Sequence, residues 1–237
     1  AMTSCRIPAP PPDFVGRARE LEELQANFAQ GVCLTGTGAG IGVTALARRL
    51  AHQLAHRFPD GCIEIGLRGA TAAGDEAEVP VEIQRLVLKT LDPTRTLPED
   101  AGTLDKLYRK TLSEKAVLLL FDDAAGAPQL RHLLPRKTSA AIVTSRVAMP
   151  VGWEKLYPLE LAGLSPEDAR SLLNKLTPAR LRVPRRAADR MLARLKHNPL
   201  AIRILVPCLN QGVAAYGKLE HALADSWQST EALKGPQ

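Results

Sequence analysis

The sequence predicts an α/β chain, a parallel sheet with helices on both faces followed by a small all-α helical bundle. Three observations carry this. Apolar strand-like runs alternate with helical patterns as far as about residue 160, and Val117-Leu118-Leu119-Leu120-Phe121 is apolar throughout, as in a strand buried on both faces. Residues 36–44, GTGAGIGVT, carry one strand through glycines directly into a helix. Beyond about residue 160 only helical patterns follow.

Taken in order, residues 1–13 read as a linker, because 6–13 are Pro-rich and stiff. A helix is expected over 17–29, where Leu21, Leu24 and Phe28 share one face. Val32–Thr35 is the first strand, and helix 43–57 follows the glycine loop with Leu46, Leu50 and Leu54 one turn apart. Cys62–Leu67 reads as a second strand, 70–79 as a loop, and 80–91 and 101–113 as helices. Strand Val117–Phe121, helix 124–134 and strand Ala140–Thr144 complete the series, whose crossovers are right-handed and whose sheet is parallel. Ser165-Pro166-Glu167-Asp168 then starts a helix, with serine as cap, proline first and acids in the first turn. Helices are expected at 166–175, 184–196, 198–210 and 215–227. The domain division is therefore 14–160 for the sheet and 161–237 for the bundle.

Composition narrows the function. At 237 residues and 45% hydrophobic content the chain can build a core. It has no apolar run long enough to span a membrane and no apolar leader, so a cytoplasmic protein without a membrane partner is expected. Cys33, Cys62 and Cys208 lie in apolar runs and Cys5 stands apart; without a CxxC pair they read as buried reduced thiols rather than metal ligands. The net charge of +6 is spread along the chain except for a cluster from Arg185-Arg186 to Lys196-His197. With only 4% aromatics, that cluster reads as a solvated basic helix face rather than a nucleic-acid footprint.

The glycine loop is an anion site by its physics. Successive backbone N–H groups line such a turn, and the following helix dipole adds about half a positive charge at its start. Gly38, Gly40 and Gly42 allow the backbone to close around phosphates, and Thr44 can offer its hydroxyl to Mg²⁺. The P-loop pattern GxxxxGK[ST] nevertheless has Val43 at its lysine and, counted back from Gly42, Thr37 at its first glycine. The lysine stabilises charge as phosphoryl transfer proceeds, so hydrolysis is expected to suffer more than binding. Arg48 and Arg49 lie more than a turn further on and are expected to point away from the loop mouth.

Asp122-Asp123 follows the buried strand, where a carboxylate faces the ligand crevice of a parallel sheet. Asp122 is the candidate Mg²⁺ acid with Thr44; Asp123 either orients water or caps helix 124–134. Arg146, after the next strand, can reach a terminal phosphate. Asn198-Pro199 is a good cap and first position for its helix.

Phe14-Val15-Gly16-Arg17, the glycine loop, Arg57-Phe58-Pro59-Asp60-Gly61, Leu120-Phe121-Asp122-Asp123, Leu133-Leu134-Pro135, Val143-Thr144-Ser145-Arg146 and His197-Asn198-Pro199-Leu200-Ala201 occur in that order. Together they resemble the NB-ARC module of STAND-type signalling ATPases, especially its bacterial, actinobacterial-regulator-like branch. The match covers about 14–210. The resemblance implies a P-loop NTPase sheet with helices on both faces and an ARC1-like bundle. It implies an adenine pocket at Val15, Gly16 and Arg17, where the acid often found next is Ala18. It implies phosphate binding by Gly38, Gly40, Gly42, Val43, Thr44 and Ala45. Asp122 is then the Mg²⁺-linked acid, Asp123 its catalytic neighbour, Arg146 the γ-phosphate sensor, and Pro199 the group packed over the base. The family's further domains, an upstream effector, a winged helix and repeats that sense a signal, are the implied partners, and the chain reads as a fragment that stops before the winged helix. Homo-oligomerisation on activation is also implied.

The expected function is an ADP/ATP-binding regulatory switch with little or no hydrolysis. The alternatives are a pseudo-NTPase scaffold for oligomerisation or partner docking, and a DNA-acting AAA+-like ATPase.

Overall fold

A computed structural model of the chain describes residues 5–67, 78–150, 155–178 and 183–211. The expected loop at 70–79 falls largely, and the expected helix at 215–227 wholly, outside these residues. The chain divides into two compact units.

The first comprises the N-terminal residues through Pro11, Ala18–Gly36 and Val43–Leu161. Among the described residues its sheet has five parallel strands, β1 (Gly31–Gly36), β2 (Gly61–Gly66), β3 (Val117–Ala124), β4 (Ala140–Ser145) and β5 (Tyr157–Leu161), in the order β2-β3-β4-β1-β5. The helices are α1 (Ala18–Ala26), α2 (Val43–Leu54), α3 (Glu78–Leu91), α4 (Ala101–Glu114) and α5 (Ala127–Leu130). The central strands are the apolar ones: Val117 through Phe121 and Ile142–Val143 are fully buried. Removing each such side chain from water contributes about 1.5–3 kcal/mol before the entropy of ordering it. On α2, Leu46, Ala47, Leu50, Ala51 and Leu54 form the buried face that the four-residue spacing predicts.

Two expectations for this unit change. The fifth strand is absent from the sequence reading because Tyr157-Pro158-Leu159-Glu160-Leu161 contains a proline and a charge. Both suit the sheet edge, where β5 lies beside β1 alone. The helix expected at 124–134 is a single turn. Ala124 is still part of β3, Gly126 offers no capping side chain, and Pro128 occupies the first turn.

Residues assigned to the lead-in make defined contacts within this unit. Cys5 forms a parallel bridge with Cys62, Arg6 N donates to Cys62 O at 2.8 Å, and Ile7 is buried. Burial pushes the Cys33 thiol up to about 11 and, aided by Cys5, that of Cys62 up to about 12. The side chain of Cys208 lies outside the described residues.

The second unit comprises Pro12–Arg17, Thr37–Gly42 and the residues from Ala162 onward. Its helices are α6 (Pro166–Leu176), α7 (Arg185–Arg194) and α8 (Pro199–Gln211). Their core gathers Leu172, Leu173, Leu192, Ile202 and Leu205, with Val15 packed against it. Ser165 caps α6 as its sequence predicts: its hydroxyl accepts from Asp168 N at 3.0 Å and donates to Asp168 Oδ2 at 2.8 Å. Arg185, Arg186 and Arg190 on α7 are exposed.

Candidate functional site

In the first unit the chemistry gathers at the C-terminal ends of β3 and β4. Asp122 is half-buried, and its Oδ1 accepts two hydroxyl hydrogen bonds, from Thr44 Oγ1 at 2.8 Å and Thr144 Oγ1 at 2.7 Å. Thr44 is the second residue of α2, and Thr144 is the buried, last-but-one residue of β4. Thr144 Oγ1 also accepts from Asp123 N at 2.8 Å. One buried hydroxyl thus fixes both the Asp122 carboxylate and the backbone that follows it. The sequence reading gives Thr144 no role of its own; its signal is a hydroxyl pair, Thr144-Ser145, that closes an otherwise apolar strand.

Asp123 does not cap a helix. Its backbone is left-handed, with φ of 60°, and the pairing of β3 with β4 shifts register between Phe121 and Ala124. Its carboxylate meets the Arg146 guanidinium edge-on: Nε donates to Oδ1 and Nη2 to Oδ2, both at 2.7 Å. That pairing holds the guanidinium above its ordinary range, and Arg146 is otherwise 75% exposed.

Val43 is the first residue of α2 and Ala45 its third; both side chains are half-buried. Arg48 donates from Nε and Nη2 to the two oxygens of Glu64 on β2, at 2.9 and 2.6 Å. Its Nε/Nη2 edge is engaged by Glu64, and the Asp122 carboxylate also acts on it electrostatically.

In the second unit the glycine loop is built into the start of α8. Gly40 and Gly42 adopt φ of 74° and 97°, where a side chain is strained. A Cβ on Gly40 would stand 2.5 Å from Leu200 Cβ, so this position tolerates only glycine. A Cβ on Gly42 would lie 3.9 Å from Pro199 Cγ. Gly38 is half-buried in the same loop. Asn198 is buried and serves two elements. Its Oδ1 accepts from Leu200 N at 2.9 Å and Ala201 N at 3.1 Å, which is the helix cap the sequence predicts. Its Nδ2 donates to Ala39 O at 2.8 Å, a loop contact that the sequence reading missed. Leu200 N also donates to Gly40 O at 3.3 Å. With carbonyls of Ala39 and Gly40 engaged by α8, the loop is held by its acceptors.

Gly16 and Arg17 both have left-handed backbone, with φ of 66° and 65°. Arg17 is only 5% exposed; its guanidinium donates to Ala162 O at 2.7 Å, Ile41 O at 3.3 Å and Gly163 O at 3.4 Å. It binds the glycine loop to the start of the bundle segment. Val15 is half-buried beside the bundle core. Among the described residues no group of three or more His, Cys, Asp and Glu side chains is placed to hold a metal ion.

Among solved structures, the chain is similar to a STAND (Signal Transduction ATPase with Numerous Domains) protein with a tetratricopeptide repeat sensor from Pyrococcus horikoshii. The TM-score is 0.53 at 20% identity, covering 85% of this chain and 31% of that one. It is also similar to domain III of the replication initiation protein DnaA from Thermotoga maritima, with a TM-score of 0.51 at 14% identity, covering 89% and 92% respectively. Such likenesses establish the fold: a P-loop α/β sheet with an attached helical portion. By sequence, the chain is 36% identical over 208 residues to the regulatory protein AfsR of Streptomyces griseus, and 35% over 213 residues to AfsR of Streptomyces coelicolor. The matches take in 84% of this chain but 21% of each curated relative. No protein-family model matches. The chain is thus similar in sequence to about a fifth of the length of the AfsR regulatory proteins and similar in fold to part of a STAND protein.

Proposed function

We propose that this module is a nucleotide-dependent regulatory switch that binds ADP or ATP with Mg²⁺ and hydrolyses ATP weakly or not at all. The observation that carries the reading is the bond of 2.8 Å from Thr44 to Asp122, which brings the hydroxyl at the start of α2 to the acid at the end of β3. A divalent cation needs oxygen ligands of this kind. The residues fit the nucleotide in two further respects: Gly40 and Gly42 hold left-handed conformations, and the loop's acceptors are engaged by α8. Val43 is the poor fit. A charge-assisted hydrogen bond contributes on the order of 1.5–3 kcal/mol, so its absence weakens triphosphate binding roughly ten- to a hundredfold. Binding by backbone amides and cation survives that loss; stabilisation of a departing phosphoryl group suffers more.

In this reading Gly38, Gly40, Gly42, Val43, Thr44 and Ala45 receive phosphates, and Thr44 and Asp122 hold Mg²⁺. Val15 and Pro199 contribute to the adenine site, with Gly16 and Arg17 shaping its backbone. Arg146 senses the terminal phosphate, and Asp123 neighbours the reacting water. A switch requires only that two nucleotides differ in affinity for two conformations, not rapid turnover. Winged-helix, sensor and effector domains are its proposed partners, with homo-oligomerisation as the output. Thr44→Val removes the hydroxyl while keeping the shape; it is expected to abolish the Mg²⁺-dependent part of ATP binding in calorimetry. Binding that is equally Mg²⁺-dependent in the variant would contradict the assigned cation role. Val43 also favours a second reading, a scaffold that binds no nucleotide, which predicts no heat with either nucleotide at millimolar concentration.

A further inference from the structure

Building on the proposed nucleotide reading, we infer that Asp123 is a specificity-determining residue that disfavours the triphosphate relative to the diphosphate by occupying Arg146. The two N–H groups on the Nε/Nη2 edge of Arg146 point at the two oxygens of Asp123, both at 2.7 Å. This edge is the one that matches a phosphate in bidentate fashion. A terminal phosphate that recruits Arg146 must therefore displace the carboxylate or share the guanidinium with it. Sharing brings a carboxylate beside the phosphate, which is repulsive.

The geometry keeps Asp123 in this role. Its amide is anchored to Thr144 Oγ1, and its left-handed φ of 60° turns the side chain out of the strand alternation while Asp122 keeps the hydroxyl partners. The two adjacent acids thereby take different partners, hydroxyls for Asp122 and the guanidinium for Asp123. A diphosphate has no γ-phosphate to compete for Arg146, so the pair acts on ATP alone. Because the pair is largely solvent-exposed, the effect is modest, about fivefold in relative affinity.

Asp123→Asn tests this without disturbing the backbone, since asparagine tolerates the left-handed region and has the same shape. The measurement is the ratio of ADP to Mg-ATP dissociation constants by calorimetry in the wild type, Asp123→Asn and Arg146→Ala proteins. The expected result is a shift of the ratio towards ATP by about fivefold in Asp123→Asn and a shift away from ATP in Arg146→Ala. If both nucleotides bind the wild type but Asp123→Asn leaves the ratio unchanged, or moves it towards ADP, the assignment to Asp123 is overturned while the nucleotide reading stands. If the wild type and both variants bind neither nucleotide, the nucleotide reading fails and takes this inference with it.

Discussion

Val43 concentrates the question of function in one residue. It opens α2 as a half-buried apolar side chain where the P-loop pattern has its lysine. The nearest cation in sequence, Arg48, donates to Glu64. Val43→Lys is therefore expected to tighten Mg-ATP binding roughly ten- to a hundredfold, measured by calorimetry. An unchanged affinity would mean that loop geometry as well as charge has been lost. The Val43 substitution and the acid at Asp122 are plain in the sequence. The bonds of Thr144 and the carbonyl ligands of Arg17 are not, because a hydrogen bond to a distant group leaves no local pattern.

Among the elements, α8 shows how a cap can do more than cap. Asn198 satisfies the first amides of the helix and also holds the Ala39 carbonyl. Asn198→Ala removes all three bonds at a buried site and is expected to lower stability by about 1–3 kcal/mol in denaturant unfolding. Asn198→Asp keeps the capping acceptor but loses the donor to Ala39. It should therefore retain helix stability yet weaken nucleotide binding, if the loop contact shapes the phosphate site. Nucleotide binding by Asn198→Asp that matches the wild type would assign Asn198 to capping alone.

The α3–α4 pair gives a pH prediction. On Asp105, burial raises the pKa, but hydrogen bonds from Arg109 and Gln84 outweigh it, and the net shift is downward. A lowered folded value means that the stabilisation is present at neutral pH and is lost as pH falls through that value, below about 3.9, the ordinary value for aspartate. Thermal melts should show Asp105→Asn less stable than wild type at pH 7, with the gap closing below about pH 4. A gap that persists to pH 2 would exclude the carboxylate charge as its source. At this scale the long periodic helices and apolar strands are legible in the sequence. The misses are β5, whose proline and glutamate suit an edge, and the single turn at α5, where a glycine and a proline outweigh the run of small and apolar residues.

For the whole molecule, each unit carries its own core, and the glycine loop is grouped with the bundle residues rather than with the sheet it follows in sequence. The sequence reading draws a single cut near residue 160 because contiguity is all that a linear pattern can show. The interleaving arises from tertiary bonds such as Arg17 to Ile41 and Asn198 to Ala39. Ile202→Ala, at a fully buried bundle position, is expected to cost about 2–5 kcal/mol by denaturant unfolding. A loss under about 1 kcal/mol would indicate that the bundle core collapses around the gap.

The central claim is that this module binds nucleotide without the loop lysine. It is tested most directly by titrating ADP and Mg-ATP into the purified protein by calorimetry, after any co-purified nucleotide has been removed. The account predicts saturable binding of at least one of them, at micromolar concentration, with slow or no turnover. No binding of either at millimolar concentration would contradict it.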